Sequence, residues 1–447
     1  MNGYSTKTPG GVLVHFDENR NLTGSTKPSF GSGIVHYDAD GNQTGYSKAA
    51  GSGYMHYDLN HNQTGYSKQD AIMTRGMAII CMIVLHLFCR TGRDVLGTPL
   101  LWFDENTPVV YWFGFFAEIC VPIYSICVGY GQQYLKEQNV LSPKSNIRRI
   151  GKLMLNYWIV LGIFCAISFV FKVDDSIPGT VTDFLKSIVL LHSYNGAWWY
   201  LNTYVLLLLI PSKILLWPVK KLEYHKGILC GLMLQIAWYF VKRFGILPDI
   251  SIEVGIVTFL EKELINLIGI LPYIWIGAFI CKGKVLEKIN RLMGTYISTK
   301  CYNRVILSFG LVLFVFTNIV HKAVLLGVVS ILSFLLFNLW KKSEHTKKIF
   351  LFLGKHSTNI WLTHMFFYSR CFRGLVMIVK YPLFMLLFMF ALCIMTSYVI
   401  FGIQNPMYKA FNKNRRYFDS ILFGRVIGML SYRLSSVKVK KENLDEL

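Results

Sequence analysis

Arg75 and His86 lie in one apolar stretch, AIMTRGMAIICMIVLHLFC (71–89), separated by ten residues. A helix turns about 100° per residue, so the second side chain returns to within roughly 20° of the first. Both project from one face, about 16 Å apart along the axis, roughly half the hydrocarbon thickness of a bilayer. A guanidinium at the edge of an apolar layer holds anions in a planar fork. An imidazole deeper in the layer moves protons near neutral pH. Ionisable groups are costly in such a span and point to a site. Each has a plainer reading. Arg75 can anchor the chain by reaching for headgroups, and His86 can be a polar residue satisfied between helices. The shared face favours the site.

Glu118 stands in the middle of YWFGFFAEICVPIYSICVGYG. A carboxylate there must pair with a cation or carry a proton, in a structural or a catalytic role. RRIGKLMLNYW (148–158) places Arg148, Arg149 and Lys152 at the start of another apolar run. Such a cluster either fixes topology or clamps phosphate beside Arg75. Trp198, Trp199, Tyr200 and Tyr204 form an aromatic group at the entry of a further span. They read as an interfacial belt or as the wall of a binding site. His364 sits in STNIWLTHMFFY, again alone among apolar residues, whereas His321 beside Lys322 reads as surface.

These residues need a membrane to hold them. The 447 residues are 53% hydrophobic and 15% aromatic but only 16% charged, against about a quarter in a soluble domain. The apolar runs predict an all-α polytopic membrane protein with about ten transmembrane helices. Their expected bounds are 71–89, 109–131, 153–171, 199–217, 227–244, 265–281, 304–320, 323–340, 357–369 and 382–402. An interfacial helix is expected within 180–197. The alternating ten-residue segments of a membrane β-barrel are absent. The net charge of +21 comes from basic residues in short loops, which follows the positive-inside rule and not nucleic-acid binding. That distribution places both termini in the cytosol, Arg75 at the cytosolic edge and His86 deeper. The ten cysteines form no CxxC pair, so neither a zinc site nor a disulfide framework is suggested. No apolar signal core precedes residue 71, so segment 71–89 is expected to be an uncleaved first anchor.

Residues 1–70 form a separate cytosolic repeat region. IVHYDADGNQTGYSK (34–48) returns as YMHYDLNHNQTGYSK (54–68), and VHFDENRNLTGSTK (14–27) is a weaker earlier copy. Each unit of about twenty residues reads as two short strands around a turn, stacked on its neighbours or, because three short units bury little, marginally ordered or disordered. Asp38-x-Asp40-Gly41 matches part of a calcium loop, but the closing acid is missing and a plain hairpin turn fits better. The repeats offer a surface for a protein partner. Residues 71–402 form the transmembrane domain, and 403–447 a basic cytosolic tail.

Five stretches in order resemble the integral-membrane acyltransferases of acyltransferase family 3. TRGMAIICMIVLH resembles the first-span signature, an arginine and a histidine with ten residues between. VPIYSICVGY (121–130) resembles the second-span pattern. RRIGKLMLNYW resembles the basic entry to the third span, AWWYLNTYVLLLL the Trp-Phe-Leu span, and LGKHSTNIWLTH the late Leu-Gly-Lys-x-Ser…Tyr-Leu-x-His motif. The resemblance covers about 71–402. Val128 replaces the usual serine before Gly129, Tyr200 stands where phenylalanine or serine is common, and Tyr204 stands where one branch carries glutamate. The substrate of that branch, often peptidoglycan, is therefore not carried over.

The resemblance implies a plasma-membrane enzyme that moves an acyl group, often acetyl, from cytosolic acyl-CoA to a hydroxyl of a carbohydrate or cell-surface glycan. On that reading Arg75, Arg149 and Lys152 hold the donor's phosphates. His86 acts as base, with Glu118 near it. Trp199, Tyr200, Tyr204 and His364 bind the acceptor or the oxyanion. No metal is required. Two other classes remain: a transporter of a glycan, lipid-linked sugar or small anion, and a membrane tether that presents the repeats.

Overall fold

Ser67 decides where the first helix begins. Its hydroxyl accepts from the Asp70 amide, and the Asp70 carboxylate accepts from the Ser67 amide. This reciprocal cap satisfies two of the free amides at a helix start. Helix α1 (Lys68–Phe88) comes directly after it. The computed structural model describes residues 4–7, 12–16, 22–29, 33–37, 43–50, 53–57, 63–64, 66–138, 141–245, 256–320 and 323–413.

Ahead of α1, seven strands form one antiparallel meander in chain order: β1 (Tyr4–Lys7), β2 (Leu13–Phe16), β3 (Leu22–Ser29), β4 (Gly33–Tyr37), β5 (Gln43–Ala50), β6 (Gly53–Tyr57) and β7 (Gln63–Thr64). The three repeat copies share one register. Phe16 pairs with Leu22, Tyr37 with Gln43 and Tyr57 with Gln63. Each copy is thus a hairpin, as its alternating pattern predicts. The Asp38–Gly41 turn lies outside the described residues, as do 414–447 of the basic tail.

The helices after α1 are α2 (Val109–Phe116), α3 (Cys120–Glu137), α4 (Pro143–Phe171), α5 (Val181–Ile188), α6 (Trp199–Leu209), α7 (Ser212–Leu215), α8 (Trp217–Lys221), α9 (Tyr224–Arg243), α10 (Ile256–Lys282), α11 (Val285–Tyr296), α12 (Thr299–Val320), α13 (Leu326–Leu339), α14 (Glu344–Tyr368), α15 (Arg373–Met377) and α16 (Pro382–Lys413). Among the described residues six segments are long and apolar enough to cross a membrane: α1, the α2–α3 unit, α4, α10, α12 and α16. The expected count of ten is not established by them. The expected span 199–217 is broken, because Ile210 before Pro211 is extended (ψ 126°) and α6 stops at Leu209, as the residue before a proline disfavours helix. Helix α13 has only 14 residues, and the first turns of α14 carry Lys347 and Lys348. Helix α5 occupies part of the stretch expected to be interfacial, and α11 is an additional helix.

Helix α1 packs into two apolar cores. Ile79, Met82, Ile83 and Leu87 join Phe164, Trp198 and Phe366 on one side. Ala78 joins Ile119, Ile123, Ile126 and Phe334 on the other. It runs parallel to α14, and the two backbones nearly touch. A Cβ on Gly76 would collide with the Phe350 carbonyl, and one on Gly354 with the Ile72 carbonyl. Gly129 of α3 and Gly277 of α10 make the same reciprocal crossing over Ile274 and Ile126. Small residues at crossings let membrane helices gain close packing where apolar burial alone drives little. A buried polar chain fixes α14 from behind: Asn156 donates to Asn359 (2.7 Å), Asn359 donates to Ser397 (2.9 Å), and His356 Nδ1 lies 2.8 Å from the Ser397 hydroxyl.

Candidate active site

At the Arg75 end, a network of hydroxyls and rings links four helices, α1, α3, α6 and α14. Arg75 is half-buried, and its Nε reaches back to the Ala71 carbonyl at 3.4 Å. The Tyr124 hydroxyl of α3 donates to the Arg75 carbonyl at 3.4 Å and pairs with Ser357 of α14. Ser125 donates its proton to the Val121 carbonyl (3.0 Å), so it accepts from the Tyr200 hydroxyl at 3.2 Å. Tyr200 stacks on Tyr204, with ring centres 6.3 Å apart, and meets the edge of Trp361 at 5.9 Å. Trp199 is half-buried and edge-on to Tyr200.

The cations converge on this aromatic group. Arg75 and Arg149 both lie within electrostatic reach of the Tyr204 hydroxyl. Arg149 donates to Asn146 Oδ1 at 3.4 Å, and Asn146 donates to the Leu208 carbonyl, which ties the start of α4 to the end of α6. Lys152 is exposed and turned over the Tyr408 ring of α16 at 5.4 Å. Between α13 and α14, Lys342 donates to the Phe337 and Trp340 carbonyls. Burial pushes its ammonium down to about 8, against the opposing pull of Asp70.

At the other end of the shared face, His86 meets His364 and Tyr368 of α14. The two imidazole ring centres are 4.9 Å apart, and the Tyr368 hydroxyl lies 3.4 Å from His86 Nδ1. Arg90, one turn beyond, donates to the His86 carbonyl at 3.2 Å and lies 5.7 Å over the Tyr368 ring. His364 is fully buried. The parallel α1–α14 crossing makes this meeting possible, since it brings Gly354 beside Ile72 at one end and His364 beside His86 at the other.

Glu118, expected near His86, stands at the junction of α2 and α3. It lines a small cavity with Phe115, Phe116, Ile119, Thr317, Leu325, Leu326 and Val329. Its charge acts on Cys89 and Tyr111, while the charge acting on His86 is that of Arg90. Five residues of the site are not singled out from the sequence: Tyr124, Ser125 and Ser357, which lie inside the stretches that carry the resemblance, and Tyr368 and Arg90, which lie outside them. The first four look like ordinary helix packing. Arg90 carries a usable signal, a second cation four residues after His86, but its place beyond the apolar run makes it look like the end of the span.

A family model described as "Acyltransferase domain", of acyltransferase family 3, matches residues 72–403. No curated protein and no solved structure matches the chain. The matched segment runs from the first turn of α1 through most of α16 and holds Arg75, Arg149, His86 and His364. With three quarters of its length in that match and its apolar helices suited to a bilayer, the chain belongs to acyltransferase family 3 and is a membrane acyltransferase.

Proposed function

We propose that this enzyme moves an acyl group, acetyl in the first instance, from cytosolic acyl-CoA to a hydroxyl of a carbohydrate or cell-surface glycan at the plasma membrane. The proposed topology has ten spans and cytosolic termini, with the Arg75 end facing the cytosol. The observation that carries the reading is the single face of α1. At one end its guanidinium, like that of Arg149, lies within electrostatic reach of the Tyr204 hydroxyl, and at the other its imidazole lies 4.9 Å from a second imidazole. Arg75 and Arg149 hold donor phosphates as charge-assisted forks, with Lys152 as an outer point charge. The pantetheine arm lies along α1 toward His86. His86 takes the proton of the acceptor hydroxyl as that oxygen bonds to the thioester carbonyl carbon. The C–S bond then breaks, and the proton passes from His86 to the leaving thiolate. Trp199, Tyr200 and Tyr204 wall the path of the substrates. Glu118 lines a small cavity at the α2–α3 junction and is given no step in this scheme.

The test is membranes incubated with labelled acetyl-CoA and crude surface glycan. Label in the glycan supports transfer, whereas uptake of glycan without label supports a transporter. His86→Ala is expected to lose about 10²–10⁴-fold in transfer, the usual worth of a positioned base, and Arg75→Ala to raise the acetyl-CoA KM about tenfold or more. An inserted His86→Ala protein with undiminished transfer overturns the reading.

A further inference from the structure

His364 has one nitrogen committed and one without a partner. Its Nδ1 lies 2.8 Å from the Trp361 carbonyl. A carbonyl only accepts, so Nδ1 carries the proton and Nε2 presents a lone pair. That Nε2 is buried with no hydrogen-bond partner, in a residue with no exposed surface. Buried acceptors without a donor are rare in folded proteins and call for an explanation. The side chain that faces His364 across 4.9 Å is His86.

Resting on the reading of His86 as base, we infer that His364 is its positioning residue: the Nε2 lone pair receives the N–H of the imidazolium that forms when His86 takes the acceptor's proton. A base gains a positive charge in that step, and something must meet it. From α1, Arg90 faces His86 with a charge of the same sign. From α14, Tyr368 offers a hydroxyl at 3.4 Å, and His364 offers the lone pair. No carboxylate is paired with His86 among the described residues. The inference requires the His86 ring, its centre 4.9 Å from that of His364, to turn so that its N–H comes within hydrogen-bond distance of Nε2. A neutral acceptor suits the second half of the reaction. It steadies the imidazolium without trapping the proton, which must leave for the departing thiolate.

The test uses the full chain in membranes, with labelled acetyl-CoA and crude surface glycan. His364→Leu removes the lone pair at similar volume, and His364→Gln restores an acceptor oxygen near the Nε2 position. For His364→Leu, kcat is expected to fall at least 30-fold with the acetyl-CoA KM within twofold of wild type. For His364→Gln, kcat is expected at least tenfold above the Leu variant, with the acidic limb of the pH–rate profile moved by at least half a pH unit. A role in packing alone would leave that limb in place. The inference is overturned if His364→Leu keeps more than half of the wild-type kcat, or if the Gln and Leu variants are equally slow. Should the Leu variant fail to insert, an unmoved limb in His364→Gln overturns it instead. His86→Ala separates the two claims. Full activity there removes the base itself, while a dead His86→Ala beside a fully active His364→Leu removes only the inference.

Discussion

Tyr124 and Tyr368 bracket the active face of α1, one hydroxyl on the Arg75 carbonyl and the other on the His86 ring. Tyr124→Phe deletes a part-buried hydrogen bond and leaves the ring in place. We expect a loss of about 1 kcal/mol in stability and a few-fold rise in the acetyl-CoA KM, read by detergent melting and by initial rates. An unchanged KM would separate Tyr124 from the donor path. Arg75 and His86 are legible in the sequence because an ionisable group among apolar residues is expensive and so stands out. The tyrosines are not legible, since an aromatic residue in an apolar helix is the ordinary filling of a core. Glu118 stands out for the same reason as His86, yet it lines a small cavity among Phe115, Phe116 and Leu326. Cost marks a residue as notable but does not say which neighbours it meets.

Among the helices, the α1–α14 crossing governs the site. Gly76 and Gly354 each sit over the partner's carbonyl, so a side chain at either position must push two backbones apart. Gly76→Leu is expected to destabilise the protein by about 1–3 kcal/mol, the usual effect of overpacking, and to cut kcat by separating His86 from His364. Size-exclusion melting and initial rates check both parts. Gly151→Leu, at a position with open space around it, is the matched control and is expected to leave both unchanged. The apolar helices are legible from run length. The break at Pro211 is also written in the sequence, but the run of leucines before it hides the break. The crossing is not legible, because a glycine in a helix reads the same whether its open side faces lipid or a partner backbone.

Across the whole chain, the pentapeptide Thr-Gly-Tyr-Ser-Lys occurs twice with two outcomes. At 44–48 it lies within strand β5. At 64–68 it leaves β7, buries Tyr66 and starts α1. The neighbours on the C-terminal side decide: Asp70 closes a cap on Ser67, whereas Ala-Ala-Gly after Lys48 has no such partner. The second tyrosine packs 4.4 Å from the Tyr130 ring and 5.7 Å from that of Phe334, and its hydroxyl reaches Thr74 at 3.4 Å. Tyr66→Ala is expected to cost about 3 kcal/mol by emptying this pocket, while removal of residues 2–63 is expected to leave the melting temperature within a few degrees. Detergent melting of both variants distinguishes them, and a large drop on truncation would show that the strands themselves support the bundle.

Only Gly65 stands between the last strand and the Tyr66 wedge. The meander and the first helix are therefore mechanically in series. Anything that grips or twists the hairpins pulls on the same rod that carries both the guanidinium and the imidazole. A tug on the last strand would thus register some twenty residues later, where the chemistry is proposed to occur.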